Sequence, residues 1–234
     1  MSMVMDILVM ATRNRHKTGE IQSILGNSFR YLALTDVPGA PEVVEDAGTF
    51  AGNATKKAVA LAKWLATSGG RQLTGPPAKA WVLADDSGLE VDALNGAPGV
   101  HSARFAALET GRAGNSADSE NLARLLKLLG EVPAGKRGAR FKCVLALTQV
   151  LSAETTNASP TCYADEFEMG TELFEGVCEG RIGFDPKGAG GFGYDPVFIP
   201  EGYEQTFAEL GEEIKNRMSH RARALEALRK RLAA

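Results

Sequence analysis

The sequence predicts an α/β fold with a mixed central sheet flanked by helices. Two observations favour it. Apolar, strand-like runs alternate with helical patterns in the first half of the chain, and strand-like runs dominate the middle. The sequence shows no internal repeat and no linker long enough to separate independent domains. Residues 1–234 are therefore expected to form a single domain.

The first predicted strand is the short apolar run at residues 4–10, which breaks at a polar turn over residues 11–14. Apolar residues at spacings of three and four then predict a helix that buries Ile21, Ile24 and Leu25. Five further runs are rich in apolar residues and predict strands. They are residues 29–34, 80–84, 141–150, 161–168 and 196–199.

Three more helices are predicted along the chain. Thr49 is a suitable N-cap for a helix that runs to about Trp64, and another helix spans residues 121–129. Ser219 is expected to cap the final helix. The predicted buried residues of that helix are Leu225, Leu228 and Leu232. Polar or Gly-rich loops and turns are predicted at residues 67–78, 85–88, 152–160 and 183–193.

Composition excludes several classes of protein. The 26 Lys and Arg residues nearly balance the 29 Asp and Glu residues, which argues against a nucleic-acid coat. No apolar run approaches the roughly 18–20 residues that a membrane span requires. The three cysteines show no CxxC spacing, and no basic region precedes the first apolar run. We therefore expect a cytoplasmic protein whose partner is neither a nucleic acid nor a membrane.

Two acidic pairs are the first candidates for chemistry. Asp85 and Asp86 follow the strand predicted at residues 80–84, and α/β proteins bind ligands at the carboxyl ends of strands. Glu45 and Asp46 form a second acidic pair in a loop. Because no His or Cys cluster accompanies them, the oxygen donors favour Mg²⁺ over Zn²⁺. The alternative is a pair of solvated turn residues, since Asp-Asp-Ser-Gly is also typical of turns.

The second candidate is the Gly-rich segment at residues 188–193, which matches the letters G-x-G-x-x-G. A dinucleotide site is rejected, because that motif must open a helix and here it leads into a predicted strand. Two interpretations remain: a flexible turn, or a loop whose backbone approaches a flat ligand. In the second case Phe192 or Tyr194 stacks on the ligand and Asp195 accepts a hydrogen bond.

Two basic segments complete the candidates. The run from residue 215 to residue 231 holds seven Lys or Arg residues, and such runs are usually solvated helix faces. However, His220 and Arg221 lie at a predicted helix N-terminus, where cations are unfavourable unless an acceptor compensates them. Residues 12–17 form a polar turn between a strand and a helix, which could hold phosphates with backbone N–H groups and Lys17.

These features, in this order, resemble the inosine triphosphate pyrophosphatase family, also called Ham1-like. The resemblance covers nearly the whole chain. Its motifs are ADDSGLEVDAL at residues 84–94, GAPGVHSAR at 96–104, GGFGYDP at 190–196 and SHRA at 219–222. It implies two lobes with an active-site cleft between them and a homodimeric, Mg²⁺-dependent enzyme. The implied reaction converts ITP, dITP and XTP to the monophosphate and pyrophosphate.

The resemblance also implies roles for particular residues. Asp86 matches a metal ligand and general base, with Asp85 beside it. Glu45 matches a second metal ligand, although a one-residue gap leaves Asp46 as an alternative. Ser87 matches a substrate contact. The phosphate-binding positions are Thr12, Arg13, Asn14, Arg15, His16, Lys17 and Lys57, with Arg13 in place of the family's glycine. The nucleotide-binding positions are Phe192, Gly193, Tyr194, Asp195, Lys215, His220 and Arg221.

Base selectivity is expected to follow from hydrogen-bond polarity. Hypoxanthine and xanthine carry an acceptor oxygen at position 6, to which His220 and Arg221 would donate, whereas adenine carries a donor there. Two rival functions remain at this point. One is a related pyrophosphatase that prefers modified pyrimidines. The other is a non-catalytic binder of nucleotides or nucleic acid through the basic helix, whose affinity would fall steeply with salt.

Overall fold

The computed structural model describes residues 5–67, 79–151, 168 and 170–233. These residues fall into two compact units. Unit 1 takes the described residues within Met1–Asp86, Val144–Phe174 and Leu228–Ala234, and unit 2 those within Ser87–Cys143 and Glu175–Ala227. None of the described helices has the length and apolar content that a membrane span needs. The single domain and the cleft between two lobes stay predictions.

The described strands form a six-stranded mixed sheet, which confirms the predicted fold class. They are β1 (Ile7–Met10), β2 (Arg30–Ala33), β3 (Ala80–Val91), β4 (Gly138–Gln149), β5 (Glu172–Ile182) and β6 (Phe198–Pro200). Their order is β2-β1-β3-β4-β5-β6. Strand β1 runs parallel to both β2 and β3, whereas β5 and β6 are antiparallel. The described α-helices are α1 (Arg15–Leu25), α2 (Phe50–Ala66), α3 (Phe105–Thr110), α4 (Asp118–Leu128), α5 (Phe207–Met218) and α6 (His220–Ala233).

Within unit 1, helix α2 carries two polar residues, Asn53 and Lys57, on the same side of the helix. The Thr49 hydroxyl accepts a hydrogen bond from the N–H of Gly52, which confirms the predicted N-cap. The helix then buries a mostly apolar face, from Phe50 to Leu65. Asn53 and Lys57 lie one helical turn apart, and residues at that spacing are neighbours on a helix surface.

Strand β3 is longer than predicted, and the turn expected at residues 85–88 is wrong. The strand continues through these residues to Val91, because the apolar side chains of Leu89 and Val91 are fully buried beyond them. Asp85 and Asp86 therefore lie inside a strand and are themselves buried. Successive side chains of a strand point to opposite faces, so each carboxylate has its own surroundings.

The core of unit 2 contains an aromatic cluster. The rings of Phe141 and Phe198 lie 4.6 Å apart, and those of Phe198 and Phe207 lie 5.3 Å apart. Strand β5 packs closely against the start of α6 at Gly176, where a Cβ atom would lie 2.0 Å from the carbonyl oxygen of His220. Glycine at this position therefore allows the N-terminus of α6 to approach the sheet.

Several element predictions differ from the structure. Strand β5 and helix α5 were not predicted, because Glu and Gly interrupt the apolar pattern of β5 and a non-helical Gly211 interrupts α5. The predicted strand at residues 161–168 lies outside the described residues except for Glu168, and the predicted loops at 67–78 and 152–160 lie almost wholly outside them. Burial of Leu232 is wrong: it is 40% exposed because it lies in the last turn of α6, whereas Leu225 and Leu228 are fully buried.

Candidate active site

The turn at residues 12–17 is held by its own side chains. The Thr12 hydroxyl accepts a hydrogen bond from the N–H of Asn14 at 3.1 Å. The side-chain oxygen Oδ1 of Asn14 then accepts from the N–H groups of His16 and Lys17, at 2.9 and 3.2 Å, and caps α1. This capping fixes the start of α1, and the Lys17 side chain reaches back to Asp85 on β3.

The other basic residues of the turn are exposed. Arg13 pairs with Glu42 at 3.4 Å, and both side chains are largely in solvent. Such exposed pairs contribute about 0–1 kcal/mol to stability. Arg15 and His16 are likewise exposed. Of the predicted phosphate-binding positions in this turn, Lys17 is therefore the one whose side chain bonds to a buried carboxylate.

Two carboxylates and one main-chain carbonyl of unit 1 meet at the Lys57 ammonium, and we call the residues that supply them, Glu45, Asp86 and Asp85, the acidic cluster. The Lys57 ammonium donates to the Asp85 carbonyl oxygen at 2.9 Å and to Asp86 Oδ1 at 3.3 Å. It also lies 3.2 Å from Glu45 Oε2. Lys17 donates to the Asp85 carboxylate. The cluster thus binds two lysines, which offset its negative charge.

The geometry favours Glu45 over Asp46 as a member of this cluster. Glu45 shares the Lys57 ammonium with Asp86, whereas Asp46 pairs with Lys56 at the surface. This pairing with Lys56 lowers the pKa of Asp46. The alternative alignment, in which Asp46 is the ligand, therefore has less support.

Asp86 has the surroundings of a general base. Burial raises its pKa, and this effect outweighs the opposing influence of Lys57, Lys17 and the hydrogen bond from Asn53. Asn53 Nδ2 donates to Asp86 Oδ2 at 3.1 Å and fixes the orientation of the carboxylate. A carboxylate whose pKa lies above its usual value accepts a proton more readily near neutral pH.

The acidic cluster has a donor set that fits a hard divalent cation. The Glu45 and Asp86 carboxylates and the Asp85 carbonyl oxygen all lie within 3.3 Å of one cationic nitrogen. Oxygen donors of this kind are those that Mg²⁺ prefers. Among the described residues, no group of three Asp, Glu, His or Cys side chains is placed to hold a metal ion. The Lys57 ammonium lies among the oxygens instead.

A second cluster lies within unit 2, and we call Ser87, Phe192, Asp195, Lys215 and Arg221 the aromatic–basic cluster. Asp195 Oδ2 accepts from the N–H of Phe192 at 2.8 Å and from the Lys215 ammonium at 2.7 Å. Lys215 also lies 4.2 Å from the centre of the Phe192 ring, and Arg221 lies 5.9 Å from it. Arg221 donates to the Ser87 hydroxyl at 2.9 Å.

The glycine at position 191 is required by this arrangement. Its φ of +74° is unfavourable for other residues, and a Cβ atom there would lie 2.2 Å from Asp195 Oδ2. The loop therefore folds tightly around the Asp195 carboxylate. Gly193, two residues later, donates its N–H to Asp118 Oδ2 at 2.7 Å, which ties the loop to helix α4.

His220 and Arg221 occupy the first turn of α6, as predicted. The Ser219 hydroxyl accepts from the N–H of Ala222 at 3.2 Å, which confirms the N-cap. The His220 ring stacks on Phe141, with ring centres 4.8 Å apart and planes inclined by 14°. Both His220 and Arg221 are buried.

The structure favours Phe192 over Tyr194 for stacking on a ligand. Tyr194 is buried in the core of unit 2, its hydroxyl donates to the Ser102 carbonyl oxygen at 2.9 Å, and burial raises its pKa. Phe192 is only partly buried. Asn53, by contrast, was missed by the sequence analysis. Its signal was a polar residue within the apolar face of α2, one turn before Lys57.

Comparisons with known proteins agree with the motifs. The Ham1 family model matches residues 8–231. A dITP/XTP pyrophosphatase of Opitutus terrae is 43% identical over 225 residues, which cover 93% of this chain and 94% of that protein. One of Desulforamulus reducens is 45% identical over 220 residues, which cover 94% and 92%. A HAM1 protein from Coxiella burnetii has a similar structure, with a TM-score of 0.74 and 34% identity over 98% of this chain and 99% of that one. This chain therefore belongs to the Ham1 family.

Proposed function

We propose that this protein hydrolyses the triphosphates of deaminated purines, ITP, dITP and XTP, to the monophosphate and pyrophosphate. The observation that carries the proposal is the acidic cluster, which combines a buried carboxylate of raised pKa with two lysines. The relatives that bear the name dITP/XTP pyrophosphatase support the same reaction. In the chain, the Asp86–Ser87 peptide bond joins the acidic cluster to the aromatic–basic cluster.

The acidic cluster supplies the groups that this hydrolysis needs. Asp86 accepts a proton from a water molecule that attacks the α-phosphorus, while Asn53 keeps the carboxylate in place. The bond from the α-phosphorus to the bridging oxygen breaks, and pyrophosphate leaves. Lys17 and Lys57 donate to the oxygens of the departing group and stabilise the charge that develops there.

The proposed cofactor is Mg²⁺, which Glu45 and Asp86 would hold. When bound, the ion would offset the charge of the triphosphate and polarise the phosphorus. Asp85 remains paired with Lys17 in this proposal, so its carboxylate orients that lysine. In this proposal Glu45 and Asp86 bind the ion, whereas Lys17 and Lys57 bind the phosphates.

The aromatic–basic cluster is proposed to recognise the purine. Phe192 stacks on the base, and Arg221, together with His220, donates to the oxygen at position 6. Adenine places a donor at that position, so a buried donor would lose its partner at a cost of about 1–3 kcal/mol. A site built on such hydrogen bonds rejects the mismatched base strongly.

A pyrophosphate-release assay over dITP, ITP, XTP, ATP and a modified pyrimidine triphosphate, with and without Mg²⁺, tests the proposal. We expect kcat/KM to be highest for the deaminated purines and to depend on Mg²⁺. Asp86→Asn should lower kcat by roughly 10²–10⁴, the usual contribution of a general base. Asp46→Asn, which changes a surface carboxylate, is the matched control. Equal kcat/KM for ITP and ATP, or near-normal turnover in Asp86→Asn, contradicts the proposal.

Two further proposals are a homodimer, which rests on the family resemblance, and a cytoplasmic location, which rests on the composition of the sequence. Light scattering coupled to size-exclusion chromatography measures the first directly, since a dimer has twice the mass of the 24.8 kDa chain. Fractionation of cells that express the tagged protein measures the second.

A further inference from the structure

We propose that the Lys57 ammonium occupies, in the free protein, the position that a divalent cation takes when the acidic cluster is loaded. The cation then binds by displacing this ammonium. The inference rests on the proposed function for the identity of the ion's ligands. It adds that the Lys57 side chain competes with the ion for these ligands.

The contacts of Lys57 carry the inference. Its nitrogen lies 2.9 Å from the Asp85 carbonyl oxygen, 3.2 Å from Glu45 Oε2 and 3.3 Å from Asp86 Oδ1. These are separations typical of an ammonium, whereas a Mg²⁺ ion lies about 2.0–2.1 Å from its oxygens. The same oxygens cannot accept both cations at once, because like charges at such distances repel strongly.

The surroundings of Lys57 distinguish it from the neighbouring lysine. Its side chain is 12% exposed and turns towards the acidic cluster, whereas the Lys56 side chain is 45% exposed and pairs with Asp46 at the surface. The four-carbon stem of a lysine is flexible, so the ammonium can move while helix α2 stays in place. A displaced Lys57 is then able to contact the phosphates that arrive with the ion.

This exchange of partners has a measurable consequence. A bare divalent cation must remove Lys57 from its three oxygens before it binds, so its affinity for the free protein is weakened. A neutral side chain at position 57 removes this competition while it preserves Glu45, Asp85 and Asp86. The intrinsic affinity for the ion, measured without any nucleotide, therefore rises.

The experiment titrates Mn²⁺ into the full chain without nucleotide, at mildly alkaline pH, and follows free Mn²⁺ by electron paramagnetic resonance. We expect Lys57→Met to bind Mn²⁺ at least about tenfold more tightly than the parent protein, since a repelling charge is removed. Lys56→Met, the matched control, should leave the affinity unchanged. Equal or weaker binding by Lys57→Met overturns the inference. Circular dichroism confirms folding, and Lys57→Gln replaces a Met variant that does not fold.

A second pair of variants locates the ion. The higher Mn²⁺ affinity of Lys57→Met should disappear when Glu45→Gln is added to it. It should persist when Asp46→Asn is added instead. A gain that survives Glu45→Gln overturns the inference, because the ion then binds elsewhere. None of these measurements uses hydrolysis. A protein that fails to hydrolyse dITP can therefore still show the exchange, and an active enzyme without the affinity gain refutes the exchange alone.

Discussion

The buried ion pair between Asp195 and Lys215 offers the sharpest test of the aromatic–basic cluster. Both side chains are at most 3% exposed, and their charged atoms lie 2.7 Å apart. The change Asp195→Asn keeps the shape of the side chain and an oxygen that can accept from the Phe192 N–H. It removes the negative charge, so the Lys215 ammonium loses the charged partner of this pair.

The size of the effect follows from this burial. Removal of one partner of a buried ion pair costs about 3–5 kcal/mol in the free energy of unfolding. For a protein of 150–250 residues, 1 kcal/mol corresponds to about 2–4 °C in Tm. Asp195→Asn should therefore lower Tm by roughly 6–20 °C. The double variant with Lys215→Met should recover much of this loss, since neither position of the pair then carries a charge.

Calorimetry and urea unfolding of the two single variants and the double variant measure this coupling. Glu213→Gln is the control on the same helix, because its pair with Arg217 is 74–80% exposed and such pairs contribute about 0–1 kcal/mol. A destabilisation by Asp195→Asn as small as that of Glu213→Gln would refute the reasoning. Additive effects of the two single changes would refute it as well.

Four further predictions concern three side chains. Phe192→Leu should raise KM for dITP and leave kcat nearly unchanged. The rise in KM should correspond to about 1–3 kcal/mol of lost stacking on the base. A fall in kcat without a rise in KM would contradict this. Tyr194→Phe should lower the free energy of unfolding by about 0.5–1.5 kcal/mol and leave kcat/KM unchanged, because its hydroxyl bonds to Ser102 in the core. Because burial raises the pKa of Asp86, kcat/KM should fall as the pH drops through that raised value. A raised pKa means that protonated Asp86 contributes to the free energy of unfolding. This contribution is fully present below the pKa of Asp86 in the unfolded chain and is lost as the pH rises through its pKa in the folded protein. Because asparagine stays neutral, Asp86→Asn should have a higher Tm than the parent protein at neutral pH. A lower Tm would contradict the last expectation.

The sequence predicted the mixed sheet and the candidate residues of both clusters, because periodicity and motifs are local signals. It misplaced the turn at residues 85–88, since Asp and Gly are typical of turns and only the buried Leu89 and Val91 beyond them extend the strand. It also missed β5, in which Gly176 serves a close approach to α6. The close approach of Gly176 to α6 joins residues that are far apart in the chain, and local sequence patterns do not show such a contact.

The sequence by itself determined the caps at Thr49 and Ser219, since each cap bonds to an N–H three residues away. Tertiary structure decided which cation meets which carboxylate: Lys17 and Asp85 are 68 residues apart in the chain. It also decided that Glu45, rather than Asp46, shares Lys57 with Asp86. Adjacent acidic residues look alike in a sequence, and only the packing of α2 against the buried carboxylates of β3 gives them different partners.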